Sequence, residues 1–282
     1  HFSLDIPEAQ LQNFAAIGDT VQFDVNTLSA VEQRTRFGIK QLNTFFRISQ
    51  KSMEFKGMNL KAGQSTISDT VVFTYESQLE LNDFINKVKI NAHLRNTVIH
   101  PKDLALFAPA ASRLQLPIKL NGTIQGRVNN FRFNNLELKT GNTVLQGSIS
   151  MDGLPDINET FIVLHLKNSR LDFSDLSFLF NESTYKRLIP LGKLSLNGQF
   201  LGYPTDFVAK GDFSNDLGRI ISDINLKINE NSLERSSYKG QLSMINFDLG
   251  RYLNDTLTFQ RVNLDGRISG SGLTQSTANF TL

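Results

Sequence analysis

Ile118-Lys119-Leu120-Asn121-Gly122-Thr123-Ile124-Gln125-Gly126-Arg127-Val128 is the stretch that decides the fold. Every second residue is apolar or glycine, and those between are polar or charged. Successive Cβ atoms point to opposite faces of a strand, so this pattern gives a strand with one apolar and one wet face. The same period runs on through the chain. Leu136 and Leu138 flank Glu137, and Leu145, Gly147, Ile149 and Met151 share a face. Leu194, Leu196 and Phe200 alternate with Lys193, Ser195, Asn197 and Gln199. Phe207, Ala209, Gly211 and Phe213 follow, then Ile224, Leu226 and Ile228, then Val262, Leu264 and Ile268. Turn residues fall between these runs at Asn134-Asn135, Thr140-Gly141-Asn142, Asp152-Gly153, Gly202-Tyr203-Pro204 and Asn215-Asp216. Connections this short favour an antiparallel meander over crossovers. The expected fold is all-β with a few short helices, a repeating antiparallel β-groove, elongated.

The pattern is also a repeat. Leu120-Asn121-Gly122-Thr123-Ile124-Gln125-Gly126 returns as Leu196-Asn197-Gly198-Gln199-Phe200-Leu201-Gly202, and again as Leu264-Asp265-Gly266-Arg267-Ile268-Ser269-Gly270. Ahead of the copies stand Ile99-His100-Pro101-Lys102-Asp103-Leu104, Leu171-Asp172-Phe173 and Phe247-Asp248-Leu249, with Leu4-Asp5-Ile6 as an earlier echo. Met58-Asn59-Leu60-Lys61-Ala62-Gly63 matches Leu136-Glu137-Leu138-Lys139-Thr140-Gly141. A unit of about 70 to 80 residues therefore recurs, each with a short helix and several strands. The expected divisions of one continuous groove are a first, longer repeat over 1–97, a second over 98–170, a third over 171–246 and a partial fourth over 247–282. Helices are expected near 101–114, 174–188 and 248–254, with Pro101 in a first turn and Ser174 as an N-cap. Isolated glycines in strands, Gly122, Gly198 and Gly266, suggest bulges or close backbone approach.

Composition excludes several classes of function. With 282 residues, 40% hydrophobic and 20% charged, the chain can bury a sizeable core. A net charge of +2 with no basic run does not propose nucleic acid as a partner. The absence of cysteine removes disulfides, thiolate metal sites and a cysteine nucleophile. No apolar stretch reaches the roughly 18 residues that span a bilayer. The chain starts at His1 and ends in a strand-like run, Thr277 to Leu282, so it reads as a piece of a longer protein. His1, His93, His100 and His165 do not stand at ligand spacing, and His93-Leu94-Arg95-Asn96 and His165-Leu166-Lys167-Asn168 occupy matching repeat positions. No nucleophile elbow, phosphate loop or dinucleotide fingerprint occurs. The expectation is a non-enzyme with no catalytic residue, no metal and no cofactor.

What remains is the apolar stripe. Apolar strand faces usually pack against another sheet or helix. Here the helices are few and short, and the similar repeats offer no obvious partner sheet. A sheet of some fifteen strands could instead form a trough roughly 70 Å long. Its lining is expected to be Ile118, Leu120, Ile124, Leu136, Leu138, Leu145, Ile149, Leu194, Leu196, Phe200, Phe207, Phe213, Ile224, Leu226, Ile228, Leu264 and Ile268. The 22 Phe against 5 Tyr and no Trp suit a surface meant for hydrocarbon. Such a lining fits phospholipid acyl chains.

The run from Ile118 to Met151, with Phe161-Ile162-Val163-Leu164-His165-Leu166 and Leu171-Asp172-Phe173 after it, resembles the AsmA-like superfamily. Within it the chain is most similar to TamB-type translocation and assembly module proteins of Gram-negative bacteria, including those of the Bacteroidota. The likeness covers most of 85–282 and is weaker over 1–84. It implies a taco-shaped β-groove in the periplasm, anchored in the inner membrane through a segment not evident in this chain. It also implies phospholipid transport to the outer membrane and an outer-membrane β-barrel partner. The alternative expectation is a scaffold or chaperone-like protein for outer-membrane protein assembly, adding client strands at its sheet edges. A third is a secreted β-solenoid adhesin or carbohydrate binder, which the absence of Trp disfavours.

Overall fold

The computed structural model describes residues 4–33, 36–106, 109–177, 182–229, 231–272 and 279–281. The chain is all-β with a few short helices, and it divides into two units, His1–Gly141 and Asn142–Leu282. Among the described residues no helix is long and apolar enough to cross a membrane.

The first unit holds β1 (Leu4–Ile17), β2 (Thr20–Glu32), β3 (Gly38–Ile48), β4 (Ser52–Ala62), β5 (Ser65–Thr74), β6 (Lys89–Ile99), β7 (Ile118–Arg127) and β8 (Asn130–Thr140). Each pairs antiparallel with the next in chain order. The second unit holds β9 (Thr143–Asp152), β10 (Phe161–Asp172), β11 (Lys193–Tyr203), β12 (Asp206–Asn215), β13 (Gly218–Lys227), β14 (Ser237–Asp248), β15 (Arg261–Ser271) and β16 (Asn279–Thr281). It follows the same rule. Within each unit strands pack substantially only on their sequence neighbours, so each is an open meander and not a sandwich.

The repeat is one of four strands. Helix-bearing connections follow β6, β10 and β14, containing α2 (Pro101–Leu104), α3 (Glu182–Leu188) and α4 (Leu249–Leu253). The opposite strand ends carry long connections after β5, β9 and β13, the first including α1 (Phe84–Lys87). Two further strands, β1 and β2, precede the first such set of four, β3 to β6.

A β-bulge marks each repeat. Gly57, Asn96, Asn135, Asn168 and Asn246 all have φ between 49° and 59°, and the ladders slip by one residue at each. Gly and Asn are the residues that enter this left-handed region most readily. The residues after them, Met58, Thr97, Leu136, Ser169 and Phe247, are all buried. The bulge costs one residue of the two-residue period and returns the next side chain to the apolar face. Asparagines on the following strand hold three of these bulges. Asn121 Oδ1 accepts from Asn96 N at 2.6 Å, Asn197 Oδ1 from Asn168 N at 2.7 Å, and Asn263 Oδ1 from Asn246 N at 2.8 Å.

These contacts correct several expectations. Asn134-Asn135 is a bulge inside β8, not a turn. The third copy of Leu120-Asn121-Gly122 is Val262-Asn263-Leu264, two residues before the expected match. A shift of two keeps every side chain on its face, so periodicity alone cannot see it. The bulges fall on four asparagines and Gly57, not on Gly122, Gly198 or Gly266. Gly122 faces one instead: a Cβ there would lie 2.5 Å from Phe133 Cε2 and 2.7 Å from Asn135 O, whereas Gly266 has open space beside it. Pro101 does open a helix, with His100 at the N-cap. Ser174 is no N-cap. It lies in a turn where its N and Oγ donate to Asp172 Oδ1 at 3.0 and 2.6 Å; of the helix expected over 174–188, residues 178–181 lie outside the described residues and α3 forms the last part. The helix expected over 101–114 is broken into α2 and a 3-10 turn at Pro109–Arg113.

Asn168 is exposed, so its substitution isolates the backbone requirement. Asn168→Val is expected to cost about 1–2 kcal/mol, because a β-branched residue is forced left-handed. Asn168→Gly should stay within about 0.5 kcal/mol of wild type. Urea denaturation checks both.

Candidate functional site: the one-sided apolar face

The register assembles continuous apolar rows. In the first unit Phe23, Phe46, Phe55, Val71, Ala92, Ile124 and Phe133 stand directly opposite one another across β2 to β8. Val21, Ile48, Met53, Phe73, Ile90, Gly126 and Phe131 form the next row. On the other face the intervening row is Gln22, Arg47, Glu54, Val72, Asn91, Gln125 and Arg132. In the second unit Ile149, Leu164, Phe200, Ala209, Ile224, Gly240 and Ile268 make one apolar row. Ser148, His165, Gln199, Lys210, Asp223, Gln241 and Arg267 make the wet row beside it.

The residues singled out from sequence fall on these faces. In the first unit they are Ile118, Leu120 and Ile124 of β7 and Leu136 and Leu138 of β8, the last two returned to the face by the Asn135 bulge. In the second they are Leu145 and Ile149, Leu194, Leu196 and Phe200, Phe207 and Phe213, Ile224 and Leu226, and Leu264 and Ile268. Ile228 lies just past β13, its N donating to Thr205 O at 2.7 Å. Leu136 and Leu196 are buried, and the others are half-buried. A face packed under a second layer would be buried throughout. Here side chains shield one another sideways, and no described strand within the unit packs over them.

One element escaped sequence reading. Phe14, Phe23, Phe46, Phe55, Phe73 and Phe84 form a ladder, with successive ring centroids 6.2, 5.1, 5.1, 6.3 and 5.2 Å apart. Phe14 is 66% exposed and the other five are half-buried. Offset and edge-on contacts at these distances are favourable, each about 0.5–1.5 kcal/mol beyond burial. The alternation Val21-Gln22-Phe23-Asp24-Val25 and the surplus of Phe were the available signals.

The wet face carries ion pairs between neighbouring strands. Lys210 meets Asp223 at 3.1 Å and Lys227 meets Asp206 at 2.9 Å. His93 and His165 hold the same position relative to their bulge asparagines. His93 Nδ1 lies 2.8 Å from Asp69 Oδ2, and Arg95 Nε lies 3.1 Å from the same oxygen. Among the described residues no three His, Asp or Glu side chains converge on a metal position.

Asp69 sits below its ordinary value. Burial pushes its carboxyl up, but hydrogen bonds with His93 and Thr70 and the charges of His93 and Arg95 outweigh it. Its stabilisation is complete above the unfolded value of 3.8 and is lost as pH falls through the lower folded value.

No family model matches this sequence, and no curated protein or solved structure matches it either. The site therefore rests on its own geometry.

Asp69→Asn should lower stability at neutral pH, and the gap from wild type should close in acid below about pH 4. Denaturant midpoints across pH measure this. An environment-sensitive apolar dye should bind the folded wild-type chain and bind Phe55→Asp markedly less. A native chain that binds no dye would mean that the face is covered.

Proposed function

We propose that this chain is a non-catalytic segment of a lipid-carrying β-groove. The observation that carries the reading is the half-buried apolar face, continuous across β2 to β8 and again across β9 to β15, with charge confined to the other side. Soluble monomers rarely leave so much contiguous apolar surface without an occupant. An acyl chain in water loses about 0.8 kcal/mol per methylene, or on the order of 12 kcal/mol for sixteen carbons. A lining of Leu, Ile, Val and Phe removes most of that cost. Equivalent rows on successive strands give near-equal binding, so the chain can slide without a deep trap.

The same proposal takes up the likeness to the AsmA-like superfamily and its TamB branch. On that reading the segment lies in the periplasm and belongs to a protein anchored in the inner membrane. Its cargo is phospholipid, and an outer-membrane β-barrel is its partner. The second reading, a scaffold for outer-membrane protein assembly, draws on β1. That strand pairs with β2 and no other described strand, and exposes Ile6, Leu11, Phe14 and Ile17. Crosslinks from a client that map to β1 backbone, with a lipid-free apolar face, would favour it.

Native mass spectrometry of the chain purified in mild detergent tests the lipid reading. Co-purified phospholipid is expected with wild type and is expected to be lost in Leu196→Glu and Phe46→Glu while far-UV circular dichroism is unchanged. A well-folded wild-type chain free of lipid would contradict it.

A further inference from the structure

The phenylalanine ladder of the first unit ends at Phe84, in the connection between β5 and β6. A cavity of about 340 Å³ lies at the same strand ends, lined by Lys51, Tyr75, Glu80, Lys87, Lys89 and Arg127, with Thr74 and Glu76. We propose that this cavity binds a phosphate group, and that the phosphate is that of a lipid whose hydrocarbon lies on the adjoining apolar face. The proposal rests on the groove reading and assigns it a headgroup site.

Charge favours an anion. Four cations face two carboxylates. Glu76 is engaged by Lys51 at 3.7 Å, and Glu80 accepts from Glu76 N at 2.8 Å. Lys87, Lys89 and Arg127 form no ion pair among the described residues. One guanidinium fork and two ammonium groups suit an anion with several oxygens.

The frame is fixed before any ligand arrives. Arg127 Nε donates to Lys87 O at 3.4 Å, which sets the guanidinium against the connection. Asn129 Nδ2 donates to Asn86 Oδ1 at 2.9 Å, and Asn129 N donates to Ile85 O at 3.3 Å, clasping α1 to the β7–β8 turn. Tyr75 is 5% exposed; its N donates to Lys51 O at 3.0 Å and its hydroxyl to Ser49 O at 3.2 Å. Lys51 is thereby tied to the end of β5.

Position favours a lipid over a free ion. Lys89 and Arg127 directly adjoin Ile90 and Gly126 in sequence and stand on the wet side of the strand ends. A phosphate there is a short step around the edge from Phe73 and Phe84. Leu79, 78% exposed, and Ile85, 40% exposed, add apolar surface to the same connection.

Isothermal titration of the whole chain tests this with three probes: dihexanoylphosphatidylglycerol below its micelle concentration, dihexanoylglycerol, and inorganic phosphate. Wild type should bind the phospholipid more tightly than either of the others. Lys89→Gln with Arg127→Gln should weaken phospholipid binding at least about tenfold and leave dihexanoylglycerol unchanged. Lys89→Gln alone, which leaves the Arg127–Lys87 contact intact, should move the same way. Unchanged phospholipid binding in these variants would overturn the headgroup site and leave the groove standing. Inorganic phosphate binding as tightly as the phospholipid would also overturn it, making the cavity a free-anion site. Phospholipid binding that is lost in the cation variants yet unaffected by Phe55→Asp would keep the phosphate site but overturn the placement of the hydrocarbon on the apolar face, and the groove reading with it.

Discussion

The pleat of the strand is the constraint on which the rest depends. A two-residue period sends alternate side chains to opposite faces, and a single slip would turn an entire strand inside out. Long strands must also bend and twist, and a bulge is how a strand does so. This protein places the bulge at the same point of each repeat and puts a left-handed asparagine or glycine there. At Asn96, Asn168 and Asn246 a second asparagine on the next strand receives the freed amide. Without that repeated correction, Leu136, Leu138 and Phe247 would face water and the apolar rows would stop halfway along each strand.

Uncovered apolar rows are a thermodynamic debt in an isolated monomer, and they make sense if something apolar lies over them. The two units differ in how the face is built. The first leans on rings, from Phe14 to Phe84, in mutual contact. The second uses aliphatic side chains with glycines between them, and phenylalanines at Phe200, Phe207 and Phe213. Both keep charge on the opposite face, where Lys–Asp pairs between neighbouring strands hold register at little net energy because they are exposed.

Much of this was legible in the sequence, for a physical reason. Period two is written residue by residue, so β7, β11, β13 and β15 could be read directly, and with them the face carrying Leu120, Leu196, Ile224 and Ile268. Bulges were not legible, because a single extra residue looks like noise in an alternating pattern. Asn134-Asn135 therefore reads as a turn, and the alternation aligns the third repeat two residues late. The aromatic ladder was missed because its members come from six different elements and meet only across the sheet. The cation cluster at Lys51, Lys87, Lys89 and Arg127 was hidden in the same way.

Site-specific photocrosslinking in cells tests the central claim most directly. A photoreactive residue is placed in turn at Phe46, Ile124 and Leu196 on the apolar face, and at Gln125 and Gln199 on the wet face. The account predicts phospholipid adducts from the first three positions and none from the other two. Adducts distributed equally between the faces, or protein adducts alone at the apolar positions, would contradict it.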